Sequence, residues 1–202
     1  MNRRSVVASM ASSIIGLAGC SLLPQAPSVQ QRAWPLDVRR SSVAPPRPHG
    51  AVLLVRSVRA APALQDRGLQ SLQRDGSVHV DFYEQWSVPP AQAMEDDLRQ
   101  WLADSGLFTA VVAPGSRLNA DFVLEGELNS FIADPSRGVV HIALALVLLD
   151  QRRGSTRVLL QRTESAEVKL SSADPPAIAE TMRAGIAEVL RRTEADVAGA
   201  VR

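Results

Sequence analysis

Val139-Val140-His141-Ile142-Ala143-Leu144-Ala145-Leu146-Val147-Leu148-Leu149 is an eleven-residue run with one polar side chain. It has no polar residue at every second position, as a half-exposed strand would, so a central strand covered on both faces is expected. Its neighbours on either side read as strands too. Asp121 to Phe131 precedes it across Ala133-Asp134-Pro135-Ser136-Arg137, and Thr156 to Leu170 follows across Gln151-Arg152-Arg153-Gly154-Ser155. Three strands joined by short polar turns make an antiparallel meander.

The rest of the chain is built around that meander. Ala51-Val52-Leu53-Leu54-Val55-Arg56-Ser57-Val58 is a short apolar run rich in β-branched residues, bounded by Pro48-His49-Gly50 and Pro62. It suits a buried strand. Leu64 to Gly76 carries mixed signals, with a short strand near Leu69 to Leu72, and Asp75-Gly76 forms a hairpin turn into Ser77 to Tyr83. Pro89-Pro90 then opens a helix whose Met94, Leu98, Trp101 and Leu102 share one face and which Gly106 ends; a strand is expected at Phe108 to Val112. Asp174-Pro175-Pro176 supplies an N-cap and first-turn proline for a second helix, with Ile178, Met182, Ile186, Val189, Leu190 and Val197 as its apolar stripe. The fold expected is α+β: a mixed, mainly antiparallel sheet with two helices packed on one face, formed as a single domain by residues 51–202. There is no internal repeat.

The first fifty residues are of another kind. Arg3 and Arg4 precede thirteen uncharged residues, Ser5 to Leu17, then small Ala18 and Gly19. That is the pattern of a secretory signal peptide over residues 1–19, too short to span a bilayer as a permanent helix. The next residue, Cys20, is the one cysteine of the 202-residue chain. It cannot form an intrachain disulfide, and its neighbours offer no metal ligand or activating base. Leu17-Ala18-Gly19-Cys20 resembles the lipobox of bacterial lipoproteins. This implies a diacylglyceryl thioether on Cys20, cleavage before it and N-acylation, with palmitate-type chains holding the protein on a membrane. Ser21 in place of Asp points to the outer membrane, facing the periplasm, with inner-membrane anchoring as the alternative. Between Pro24 and Gly50 lie six of the thirteen prolines. Residues 20–50 therefore read as the lipidated Cys and a Pro-rich tether, with a reach of roughly 90 Å if fully extended. Trp34, inside this polar stretch, is expected to dock on the folded part.

Composition excludes several functions. Removing residues 1–19 takes away two arginines and moves the formal charge from +1 to −1, which leaves no electrostatic footprint for nucleic acid. No Gly-rich Walker loop and no Gly-Lys-Ser/Thr sequence is present, and no cofactor is expected. His49, His79 and His141 are isolated in sequence. His141 reads as a hydrogen-bonded core histidine and His79 as a solvent-facing strand residue. There is no Gly-x-Ser-x-Gly elbow. The carboxylates Glu95-Asp96 and Glu125/Glu127 are explained by a helix N-terminus and a solvated strand face.

Trp86-Ser87-Val88-Pro89, the helix ending Leu102-Ala103-Asp104-Ser105-Gly106-Leu107-Phe108, and Ala120-Asp121-Phe122-Val123-Leu124-Glu125-Gly126-Glu127-Leu128 resemble the ABC-type transport auxiliary lipoprotein family, the group similar to paraquat-inducible protein C. The order and spacing agree across residues 51–200, and Trp34-Pro35-Leu36 resembles the aromatic-x-Leu such proteins carry after the lipidated Cys. The resemblance implies a non-catalytic auxiliary component of a lipid-transport system, working beside a mammalian-cell-entry domain protein, an ABC permease and an ATPase between the inner and outer membranes. Two alternatives stand beside it, a lipid-carrying binding protein and a lipid-anchored periplasmic hydrolase.

Phe82-Tyr83-Glu84-Gln85-Trp86 gathers three of the eight aromatic residues. Alternate residues of a strand must point inward, so core packing competes with a working surface here. Phe82, Tyr83 and Trp86 are the candidates for contact with a partner or with lipid. An adaptor predicts a polar-rimmed interface, ring-like self-association as a homo-oligomer, and no cavity. A carrier predicts an apolar pocket of several hundred Å³.

Overall fold

The computed structural model describes residues 30–202. The signal peptide and Cys20 lie outside the described residues. In chain order the elements are β1 (Arg32–Trp34), β2 (Val52–Ala60), β3 (Gly68–Leu72), β4 (Val78–Trp86), α1 (Pro90–Asp104), β5 (Ala110–Val112), β6 (Phe122–Asp134), β7 (Val139–Asp150), β8 (Arg157–Lys169) and α2 (Pro175–Ala200). The fold is α+β, a mixed sheet of eight strands with two helices.

The expected meander is its spine. β6 pairs antiparallel with β7 along its whole length, and β7 does the same with β8. Asp134 builds the first turn: its Oδ1 accepts from Ser136 Oγ at 2.6 Å and from Arg137 N–H at 3.1 Å. The other edge of β6 is divided. β2 runs parallel to its first half, β3 meets its second half at Ser71 and Ala133, and β5 runs parallel to β2 on the far side. β4 pairs antiparallel with β3. The sheet thus widens into two branches beside one long β6.

Both helices cover one face. In β7 the residues Val140, Ile142, Leu144, Leu146 and Leu148 are almost wholly buried beneath them. The opposite face of β7, with Val139, His141, Ala145, Val147 and Leu149, is only half-buried. The expectation of cover on both faces is corrected here. Antiparallel sheets can leave one face to solvent, and long polar side chains on the flanking strands shade this one without sealing it. α2 begins as its sequence signals: the Asp174 side chain accepts from Ala177 N–H at 2.9 Å. Its stripe residues Met182, Ile186, Val189, Leu190 and Val197 have no exposed surface. Gly185 lets the helix lie close to the sheet, because a Cβ there would come within 2.6 Å of Ile142 Cδ1.

Residues 31–45 do not behave as a tether. β1 adds to β4 in parallel, Trp34 beside Trp86. Trp34 Nε1–H donates to Glu84 Oε2 at 2.8 Å, so the tryptophan docks as expected. Leu36 and Val38, 5% and 6% exposed, belong to the core. The segment then bridges the two helices. Arg183 of α2 donates to the Pro35 carbonyl, the Val38 backbone amide faces the carboxyl of Asp97 on α1, and the Arg40 guanidinium forks onto Glu194 of α2 at 3.0 and 3.2 Å. Trp101 Nε1–H donates to the same Glu194 at 2.8 Å, and Ala44 N–H to the Asp104 carbonyl. The prolines hold this strap extended, and its apolar side chains fill the seam between α1 and α2.

Asp97 is the cost of that seam. It is 2% exposed, and its Oδ2 has no hydrogen-bond partner. Burial pushes its carboxyl up to about 7; the Val38 N–H opposes the rise, and the negative charges of Asp37 and Asp96 add to it.

Candidate functional site

The helix-free face of the sheet forms a groove of about 910 Å³, open to solvent along one side. Two cross-strand rungs make its floor and rims. Arg59, Glu127, Ala145 and Thr163 lie side by side on β2, β6, β7 and β8, and next to them Glu125, Val147 and Gln161. Leu54 continues the floor, and Pro114, in the loop that returns from β5 to β6, closes one end. The centre is therefore small and apolar and the sides are charged. Arg56 pairs with Glu125 at 2.5 Å and Arg59 with Glu127 at 3.0 Å. All four are 40% or more exposed, so each pair contributes at most about 1 kcal/mol to stability. They matter more as a charge pattern.

Glu125 and Glu127 do sit on a solvated strand face, but the sequence reading missed their arginines. Arg56 and Arg59 are three apart, a spacing that would place them on opposite faces of a regular strand. A register shift in β2 between Val55 and Val58 brings both onto the glutamates' face. The signal available in the sequence was the pair of spacings, Arg-x-x-Arg and Glu-x-Glu.

The aromatic stretch divides. Trp86 is 1% exposed and packs against Phe131, ring centroids 5.4 Å apart, so its candidacy for surface contact is withdrawn: it is core. Phe82 and Tyr83 are 66% and 43% exposed, and their rings meet edge to face at 5.2 Å. Two consecutive residues face outward because the chain bulges. The β3–β4 register slips between Gly68 and Gln70, and Asp81 Oδ1 accepts from the N–H groups of both Tyr83 and Glu84, at 2.8 and 3.0 Å. Gly68 gives the bulge its room: a Cβ there would meet the Asp81 carbonyl oxygen at 2.4 Å. Val78 and Val80 on the same strand are also exposed.

The histidines show no assembled site. His49 and His79 are exposed, and His141 is half-buried with Nδ1 2.9 Å from Ser130 Oγ. The core-histidine reading is right about the hydrogen bond and wrong about the place, which is the helix-free face. The register sets Glu167 beside His141, but Glu167 is engaged by Arg137 at 3.1 Å. Nothing then orients the imidazole toward the serine as a base. On the helix side, Glu164 faces Asp196; burial and that neighbouring carboxyl raise its proton affinity. Among the described residues no cluster of three or more His, Cys, Asp or Glu could hold a metal, and no helix is long and apolar enough to cross a membrane.

The family model described as ABC-type transport auxiliary lipoprotein component matches residues 35–193. A crystal structure of a Xanthomonas campestris protein assigned to the DUF330 family model is similar, with a TM-score of 0.68 and 22% identity over 83% of this chain and 96% of that one. A hypothetical protein from Chlamydia trachomatis superposes with a TM-score of 0.55 and 13% identity, over 75% of this chain and 98% of its own. Both show a shared fold. No curated protein matches the sequence.

Proposed function

The chain belongs to the family of ABC-type transport auxiliary lipoprotein components, and from that premise we propose that it is a non-catalytic adaptor of a lipid-transporting ABC system. In this reading the mature protein is lipidated on Cys20, held on the periplasmic leaflet of the outer membrane, and docks a mammalian-cell-entry domain protein. The permease and ATPase of that system supply the energy. The groove of about 910 Å³ departs from the expectation that an adaptor has no cavity; what favours the adaptor is the form of the groove rather than its volume. Its floor of Leu54, Ala145 and Val147 is bordered by arginines and glutamates and left open to water. An acyl chain lying there would keep one side wet, whereas a protein segment carrying both signs of charge would meet Arg56, Arg59, Glu125 and Glu127 in turn. A carrier of lipid is the second reading, favoured by the groove's volume alone.

Native mass spectrometry of the protein purified without its acyl groups separates the two. The adaptor predicts a defined homo-oligomer with no co-purifying phospholipid, together with loss of the mammalian-cell-entry partner when Ala145→Arg fills the groove floor. Stoichiometric phospholipid that Ala145→Arg displaces would overturn it in favour of the carrier.

A further inference from the structure

Of the seven large hydrophobic residues exposed among the described residues, four lie on β4: Val78, Val80, Phe82 and Tyr83. Singly scattered apolar residues need no explanation, but four on one nine-residue strand form a patch. The outer edge of β4 is free over Val78–Asp81, because β1 covers only Glu84 to Trp86. The patch also has a particular neighbour. Gln31 Nε2–H donates to the Phe82 carbonyl at 3.2 Å, so the aromatic pair stands where the chain arriving from Cys20 first meets the domain.

We propose that Phe82 and Tyr83 are a bilayer-contact wedge, seated in the interfacial layer of the membrane that carries the acyl chains. The inference rests on the lipidation of Cys20 proposed above. With residues 31–45 packed on the helices, only eleven residue steps separate Cys20 from Gln31. They reach roughly 35 Å if fully extended and span roughly 18 Å as a flexible coil. A domain of this length is roughly 40 Å across. The leash is therefore shorter than the body it holds, and the side bearing Gln31 is the side that meets the headgroups. On that side the chain bulges, Gly68 makes room for the bulge, and two aromatic rings brace each other edge to face. Phenylalanine supplies the apolar ring, while tyrosine supplies a ring with a hydroxyl suited to the headgroup level. A protein recruited here would compete with the membrane that the anchor has already brought near.

Tyr83→Cys tests this in the mature lipidated protein, where Cys20 is blocked by its thioether and the new thiol is unique. The thiol is labelled with an environment-sensitive fluorophore, and the protein is reconstituted into vesicles of phosphatidylethanolamine and phosphatidylglycerol containing a spin-labelled lipid. The expected result is a blue shift, quenching by the spin-labelled lipid and loss of quenching by aqueous iodide. A probe at Val158→Cys, on the sheet's opposite edge strand, stays iodide-accessible. Phe82→Asp in the Tyr83→Cys chain returns the probe to water while the protein still floats with the vesicles. Flotation with a wet probe at position 83 overturns the wedge alone. Failure to float overturns the anchoring itself, and the wedge with it. Shielding that appears without vesicles and grows with protein concentration assigns the patch to a second copy and overturns the wedge as well.

Discussion

Replacing Asp97 with Asn should stabilise the protein at pH 8 and leave it almost unchanged at pH 4. The carboxyl is 2% exposed, faced by the Val38 N–H and unpartnered at Oδ2, and burial raises it from 3.8 to about 7. The folded state therefore holds a proton that the unfolded chain has released. Stability is full below the unfolded value of 3.8, falls as pH rises toward 7, and is flat above it. Three pKa units at 1.36 kcal/mol each set the loss at about 4 kcal/mol. Asn keeps an oxygen toward the Val38 N–H but puts an NH2 group, whose two hydrogens find no acceptor, in place of Oδ2, which lowers the expected gain at pH 8 to about 2–4 kcal/mol. For a domain of this size that is a rise in Tm of roughly 5–15 °C. The assay is thermal unfolding, followed by circular dichroism, of Cys20→Ser protein lacking residues 1–19, at pH 4, 5, 6, 7 and 8, with and without Asp97→Asn. Glu164 also has a raised proton affinity, so the difference between the two chains, rather than either curve, isolates Asp97. A variant no more stable than its parent at pH 8 would refute the reasoning, since the carboxylate would then be solvated in a way the buried seam does not allow.

Three further outcomes follow from the packing. Leu36→Ala removes a side chain that is 5% exposed from the seam between α1 and α2 and should cost about 2–4 kcal/mol in urea unfolding; a loss below about 1 kcal/mol, the net worth of one hydrogen bond, would mean the strap is not core. Gly185→Ala should destabilise by about 1–3 kcal/mol although alanine is the better helix former, because its Cβ would press on Ile142 Cδ1 at 2.6 Å; a more stable variant would show that α2 can lift off the sheet without penalty. Gly68→Ala drives a Cβ into the Asp81 carbonyl oxygen at 2.4 Å and should displace the Phe82–Tyr83 bulge, read as altered fluorescence of Tyr83, the single tyrosine, in a chain whose tryptophans are replaced by phenylalanine.

Where the folding signal is local, the sequence shows it. The meander is written in apolar runs separated by Asp-Pro-Ser-Arg-Gly and Gln-Arg-Arg-Gly turns, and α2 in its Asp174-Pro175 start. The strap was hidden for the opposite reason. Taken locally, Pro35, Pro45 and Pro46 argue for an extended chain, and the chain is extended, but Leu36 and Val38 become core only because α1 and α2, from 50 to 160 residues further on, leave a seam of the right width. The candidate surfaces were hidden by irregularity. Strand alternation predicts that Phe82 and Tyr83 face opposite ways and that Arg56 and Arg59 do the same, and a register shift overrides it in each case. Trp86 obeys the alternation that resumes after the bulge, and so its burial was among the readings the sequence left open. The hairpin turn at Asp75-Gly76 needed no tertiary help: Gly76 has φ +84°, and Asp75 Oδ1 accepts from Ser77 N–H at 2.9 Å.

The clasp between Arg40 and Glu194 ties the strap of residues 31–45 to α2, 154 positions away. A chain built so cannot finish its hydrophobic interior during synthesis, because the seam that Leu36 and Val38 occupy does not exist until the final turns of α2 have emerged. If the chain is exported as proposed, a channel that threads only unfolded polypeptide would receive it in a passable state, and completion of the core would wait for α2 on the far side.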